Sequence, residues 1–242
     1  MASTDRVAGA GGGLSADGTR SAGVQRAARI VLRPIGNPLP LGFLALAGGT
    51  LVVSGLQLGW LQQEEGRQVA IVLLAFVVPL QFLTSIFGFL ARDVVAGTGM
   101  GVLAGTWLSI ALVQLDSRPG ATSDALGLLL LLAAVAMLVP AAASATGKLV
   151  PAAVLATTAV RYATTGLYEI TAGESWKDIA GIVGLVLCAL AVYAALAMAL
   201  EDARRQSVLP LGRRGFGAES VGGNLDEQLE RIEREAGVRE QL

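Results

Sequence analysis

Histidine is absent from this 242-residue chain, and cysteine occurs once, at Cys188. Those two shortages remove much of the usual reactive chemistry. Zinc sites built from Cys and His, Ser/His/Asp triads and Cys/His nucleophiles all need residues that are missing here. No G-x-x-x-x-G-K-[ST] stretch is present to cradle nucleotide phosphates, so a single-chain ATP-driven pump is excluded. Charge is also scarce: 15% of residues are Asp, Glu, Lys or Arg, against about 25% in an average soluble domain. The first thirty residues hold no apolar core of the kind that marks a secretory signal. The expectation is therefore no enzyme, no cofactor, no metal site and no nucleic-acid partner. Cys188 reads as a small core residue.

What the chain has instead is apolar sequence in blocks. Hydrophobic residues make up 53%, and six runs carry most of them: 41–60, 68–90, 94–115, 125–144, 149–170 and 179–200. A helix rising ~1.5 Å per residue needs about 20 residues to cross a ~30 Å hydrocarbon layer. Each run has that length, and short polar links separate them. The polar stripe of a soluble amphipathic helix is mostly missing, as are the ten-residue alternating strands of a membrane barrel. The predicted fold is all-α, with six transmembrane helices in the cell membrane. Six crossings leave both termini on one side. That side holds five basic residues before the first run, Arg92, Lys148 and seven more after Leu200, whereas the opposite loops hold Arg67, Arg118 and Lys177. The positive-inside rule then places both termini in the cytoplasm.

Residues 1–34 form a Gly/Ala/Ser-rich basic tail, with Met1–Gly23 reading as disordered. Its "VQRAARIVLRP" stretch is open to two readings, a basic helix lying on anionic lipid or a solvated tether. Residues 213–242 form a second tail. Within it Leu225, Leu229, Ile232 and Ala236 make a short heptad seam over 224–236, either docking between subunits or solvated and frayed.

Polar and helix-breaking residues within the apolar runs carry the functional signal, because such groups tend to face a bundle interior or a water-filled path. Pro79 sits near the middle of the second run and frees the carbonyl of Ala75. Gln81 and Thr84 are close to it, so Gln81 either lines a pore or bonds across the bundle. Gly97, Gly101 and Gly105 stand four apart and form a doubled G-x-x-x-G ridge for helix packing. Gly181 and Gly184 make a weaker case for close approach. Arg161 lies deep in the fifth run. Three readings are open for it: a pairing with Glu169, a positive charge lining an anion path, or snorkelling to an outer vestibule beside Tyr162 and Tyr168. The first is weak, since eight residues are ~12 Å of rise.

"NPLPLGF" (Asn37–Phe43) resembles the NPAPLGL signature of the acetate uptake transporter family, also called the GPR1/FUN34/YaaH or succinate–acetate permease family. It departs at Leu39 and Phe43. The spacing from Gln81 to Trp107 is similar to that of bacterial members, and "SVLPLG" (Ser207–Gly212) resembles their terminal VLP-x-G. The resemblance implies hexameric rings of six-helix protomers, each with its own pathway for acetate and, in some members, succinate or other short carboxylates, often coupled to protons. It implies pathway roles for Asn37, Pro38, Pro40, Leu41 and Gly42 at the cytoplasmic start of the first helix. A membrane-centre glutamine at Gln81 is implied in the same way. The resemblance also implies a hydrophobic gate at Leu46, Leu103 and Ala159. Aromatic residues of well-known members are leucines at Leu46 and Leu103, and Val77 and Val78 replace a glycine pair.

The residues themselves agree with a carboxylate path. No Asp or Glu falls in the first four runs. The start of the first helix offers backbone N–H groups to an anion, and Asn37 and Gln81 carry amide donors. Full dehydration of an ionised carboxylate is very costly, and no proton relay is evident near the gate. The expected mode is channel-like passage or carriage of the neutral acid. The alternative function is a non-transporting membrane scaffold or sensor whose cytoplasmic tail binds a partner.

Overall fold

The structure, a computed structural model, describes residues 36–204 and 206–214. The expectations for the 1–34 tail and for the 224–236 helix lie outside the described residues. Six long helices are described: α1 (Leu39–Gln57), α2 (Gln63–Leu90), α3 (Val94–Asp116), α4 (Asp124–Ala145), α5 (Leu149–Thr171) and α6 (Glu174–Arg204). Each packs against its neighbours in sequence, and α6 closes back onto α1, so the six surround a common interior. Among the described residues there is no strand, only an isolated bridge between Lys148 and Arg213.

Local chemistry accounts for the helix ends. Asn37 Oδ1 accepts from Leu39 N at 3.1 Å, and Pro40 stands in the first turn, where its missing N–H costs nothing. Asp93 Oδ1 caps α3 through Ala96 N at 2.9 Å, and Ser123 Oγ caps α4 through Leu126 N at 3.3 Å. α5 has no side-chain cap. Its first donors are met from far away in sequence, Leu149 N by Gly212 O at 3.1 Å and Val150 N by Leu211 O at 3.2 Å. The "SVLPLG" segment thus works as a strap that closes the start of α5. Gly212 makes the turn at φ +62°, and Tyr193 Oη holds the strap through Pro210 O at 2.9 Å.

α2 is not uniform. It opens with a short 3-10 turn (Gln63–Glu65), runs as α-helix over Gly66–Val72, widens to a π-turn at Leu73–Val77, and resumes as α-helix over Val78–Leu90. Pro79 cannot donate to Ala75 O and its ring crowds that carbonyl. An extra residue in the preceding turn, closed by Val78 N on Leu73 O, lets the helix absorb the proline without breaking.

Five of the helices are long and apolar enough to cross a membrane: α1, α2, α3, α4 and α6. α5 falls short on apolarity because it carries Arg161, Glu169 and threonines at 157, 158, 164, 165 and 171. Large apolar side chains such as Leu44, Phe82, Leu128, Leu132, Val139 and Ile182 face outward, while Thr50, Ser54, Gln81, Thr84, Thr158 and Arg161 are buried. That distribution inverts the pattern of a soluble bundle, and the fold is that of a multi-pass membrane protein.

Small residues set the closest helix approaches. A Cβ on Gly88 would stand 2.7 Å from Gly97 N, and Ser85 Oγ donates to Gly97 O at 2.7 Å, so α2 and α3 touch backbone to backbone. Gly101 meets Ser85 in the same seam, but Gly105 is exposed and meets nothing within 4 Å. Only the first two glycines of the ridge pack within the protomer. Gly127 and Gly166 bring α4 against α5, each placing the other's carbonyl 2.9 Å from a would-be Cβ. Cys188 is half-buried at the edge of the core.

Candidate functional site

Two cavities open into the bundle from opposite ends. The near end carries residue 36, the 91–93 and 146–148 turns and the strap. The far end carries the 58–62, 117–123 and 172–173 links. The near cavity, of about 170 Å³, is lined by Leu39, Phe43, Met100, Lys148, Pro151 and Leu155 among others. The far cavity, of about 300 Å³, reaches Val53, Gln57, Trp107, Gln114, Arg161 and Tyr162.

Leu46, Leu103 and Ala159 line neither cavity and all three are buried. Each lies between a near-cavity residue and a far-cavity residue of its own helix. On α1 the order is Phe43, Leu46, Val53; on α3 it is Met100, Leu103, Trp107; on α5 it is Leu155, Ala159, Tyr162. Three buried apolar side chains, one from each helix, thus stand at levels between the two spaces.

Gln81 belongs to the same level. A Cβ on Gly49 would lie 3.1 Å from Val77 and 3.3 Å from Trp107, while one on Gly42 would lie 2.8 Å from Thr84 and 2.7 Å from Met100. Seven residues separate the two contacts on each of α1, α2 and α3, so Gln81 is level with Leu46 and Leu103. Its side chain is fully buried, and neither amide atom has a hydrogen-bond partner. An orphaned amide in that position costs about 1–3 kcal/mol. The buried threonines carry no such cost. Thr50, Thr84, Thr106 and Thr158 each donate to a carbonyl one turn back on their own helix.

Arg161 is 2% exposed, which removes the snorkelling reading. Its Nη1 donates to Ser54 Oγ at 3.1 Å and to Ala180 O at 2.7 Å, and its Nη2 donates to Gln57 Oε1 at 3.2 Å. Glu169 is not its partner. That carboxylate accepts from Ser123 N at 2.8 Å and ties the end of α5 to the start of α4. The rise of the helix holds the two groups apart, as their separation in sequence foretells. Gly184 makes the room: a Cβ there would lie 1.5 Å from Arg161 Nη1.

The doorway of the first helix is engaged largely in local structure. Asn37, Pro38, Pro40 and Leu41 line neither cavity, and Asn37 is exposed with its oxygen spent on Leu39 N. Leu39's N–H is thereby taken, Pro40 has none, and Gly42 N reaches back to Pro38 O at 3.4 Å. Little of the helix start is left for an anion. The residues that do reach the near cavity are Leu39 and Phe43, the two positions at which the chain departs from the family signature. Gly42 is buried against Thr84 and Met100, and Thr84 is buried beside it.

Three groups of the far cavity escaped sequence reasoning. Trp107 Nε1, Tyr162 Oη and Gln114 Oε1 are buried without hydrogen-bond partners. Thr106 stands beside the Tyr162 hydroxyl but spends its own proton on Val102 O at 2.7 Å. Trp107 and Gln114 lie two turns apart on α3, a spacing that puts them on one face.

A model of the GPR1/FUN34/yaaH family matches residues 18–211. A solved structure described as that of the bacterial acetate channel SatP is 20% identical in sequence, with a TM-score of 0.67. It covers 74% of this chain and 99% of its own. No curated protein sequence matches. The family match spans most of the chain, which therefore belongs to the GPR1/FUN34/yaaH family.

Proposed function

We propose that this member of the GPR1/FUN34/yaaH family is a channel for acetate and related short-chain carboxylates, succinate among them, in the cell membrane. The observation that carries the reading is the pair of opposed cavities with one apolar layer between them, Leu46, Leu103 and Ala159, and the unpartnered amide of Gln81 at its level. A carboxylate crossing this layer meets Gln81 as a donor that no protein group already occupies. The likeness to an acetate channel of the same fold supports the substrate class. α5 is the sixth crossing in this reading, its polar face turned to the path rather than to lipid. Both termini are then cytoplasmic, in keeping with the basic residues on that side, and the ring is a homohexamer with one path per protomer.

The route runs through the near cavity behind the Asn37–Gly42 doorway, past Thr84 and Gln81, through the apolar layer, and out by Arg161. Asn37, Pro38, Pro40 and Leu41 act by setting where α1 starts, which positions Leu39 and Phe43. Passage is channel-like, because no Asp or Glu lies between the cavities to relay a proton. Uptake of labelled acetate into proteoliposomes tests the reading. Leu103→Trp fills the layer and lowers flux at least about tenfold with the oligomer intact, and Gln81→Ala lowers it less. Flux no greater than in protein-free vesicles, with the protein correctly inserted, would falsify transport and favour a scaffold.

A further inference from the structure

We propose that Arg161 is a positioning residue that sets the spacing of α1 and α5 across the path, and with it the width of the passage at Leu46 and Ala159. The inference rests on the channel reading and names what fixes the size of the path. α1 and α5 both pack on α6 and hardly touch each other. One side chain joins them. Arg161 of α5 donates Nη1 to Ser54 Oγ at 3.1 Å and Nη2 to Gln57 Oε1 at 3.2 Å, both on α1. Its Nη1 also donates to Ala180 O of α6 at 2.7 Å.

Little else has bulk at that junction. α6 presents Ala180, Gly181 and Gly184, and α1 presents Ser54 and Gly55. A Cβ on Gly181 would lie 2.6 Å from Leu58, and one on Gly184 would stand on both Ser54 Oγ and Arg161 Nη1. α6 therefore lies hard against α1, with the guanidinium wedged into the notch that Gly184 leaves. A guanidinium is planar and its donors point in fixed directions, so bonds to two helices hold their separation and rotation together. Among the described residues no carboxylate pairs with it. An apolar filler would serve stability as well as a buried charge does. What the charge adds is a defined geometry between helices that have no packing of their own.

That geometry reaches the constriction. Ala159 lies two residues before Arg161, ~3 Å along α5, and Leu46 lies eight before Ser54, ~12 Å along α1. Both are buried at levels between the two cavities. Ala159 carries only a methyl group. On its side the width of the passage thus depends on where the backbone of α5 stands, and the clamp one side chain away decides that.

Uptake of labelled acetate and butyrate into proteoliposomes reads the width as a ratio. Arg161→Lys keeps the charge but cannot fork to Ser54 and Gln57, whereas Gln57→Leu keeps Arg161 and removes one of its α1 partners. Both should raise the butyrate-to-acetate ratio, by about tenfold for Arg161→Lys, the low end of what a methylene is worth in a fitted site, and by less for Gln57→Leu. A parental ratio in both variants overturns the proposal whatever their melting temperatures, because a bond that only holds the fold, or a charge that only attracts the anion, leaves the ratio alone. The spacing itself can be read without transport. Trp60, in the link after α1, and Thr171, at the end of α5, are both exposed. Spin labels on Trp60→Cys and Thr171→Cys, in a Cys188→Ser background diluted with unlabelled protein, should give one narrow distance. Arg161→Lys should lengthen or broaden it, and an unchanged distance distribution sinks the clamp. A changed distance in a protein that passes no carboxylate sinks the channel and leaves the clamp.

Discussion

The two cavities differ in chemistry more than in size. On the far side, polar groups sit deep in the interior: a buried cation, an indole without an acceptor, a phenol beside Thr106, and two glutamines. The near side keeps its charges at the rim. Asp93 caps α3, Lys148 begins α5, and the wall between them is Leu39, Phe43, Met100 and Leu155. An interior polar group thus has two possible lives. It can be satisfied by the fold, as the near-side caps are, or it can be left without a partner. Among the described residues, those of the second kind are found at the far cavity and at the level of Gln81.

Gly184→Ala should disturb the contrast most. Its methyl would displace the Arg161 guanidinium from Ser54 and Ala180, and uncoupling a buried charge from its partners costs about 3–5 kcal/mol. Denaturant or thermal unfolding in detergent should show that loss, and a stability within error of the parent would mean the guanidinium has another resting place.

Gln81→Leu separates the two kinds of polar group by dissociating stability from flux. Replacing two unpartnered amide atoms by an apolar group of similar volume should raise stability by about 1–3 kcal/mol while acetate uptake falls. A fall in both would show that Gln81 has a structural bond instead.

Gly212→Ala probes the near side, where polar groups serve the fold. The left-handed backbone penalises a Cβ by about 1–2 kcal/mol, and that Cβ would also crowd Leu149 at 2.8 Å. Hydrogen exchange should accelerate at the Leu149 and Val150 amides.

The smallest effect is expected at Lys148. Burial, then Arg213 nearby, lowers its pKa from the ordinary lysine value of 10.5, outweighing Asp93 and Glu201. The folded chain thus releases this proton at lower pH than the unfolded chain does. Its contribution to stability rises as pH climbs from the lowered value toward 10.5. Lys148→Met should raise the melting temperature slightly near neutral pH and flatten that rise.

Much of the architecture is legible in composition. Each apolar run falls on one helix, and the "SVLPLG" stretch turns out to be a strap with a carbonyl for each of two idle donors at the start of α5. Gln81 and Arg161 stand out in the sequence because polar groups are rare where they occur. What could not be read is where such groups send their hydrogen bonds. Glu169 looks like a partner for Arg161 because both lie on α5, yet its acceptor is taken by Ser123, 46 residues away. The doorway residues look like path lining because they begin the helix. In the structure Asn37 Oδ1 is bound to Leu39 N, and the departures at Leu39 and Phe43 reach the near cavity.

The order of residues along the chain was enough to set the helices and their apolar exterior. Run length against the rise of a helix, and the cost of exposing polar groups to lipid, leave few other outcomes. Packing between helices settled which interior polar groups are satisfied and which are left facing a space. Those partners come from helices distant along the chain, Ser54 and Gln57 standing 107 and 104 residues from Arg161. The notch that admits the guanidinium is the missing side chain of Gly184 on a third helix. No periodicity in one segment encodes a meeting of three.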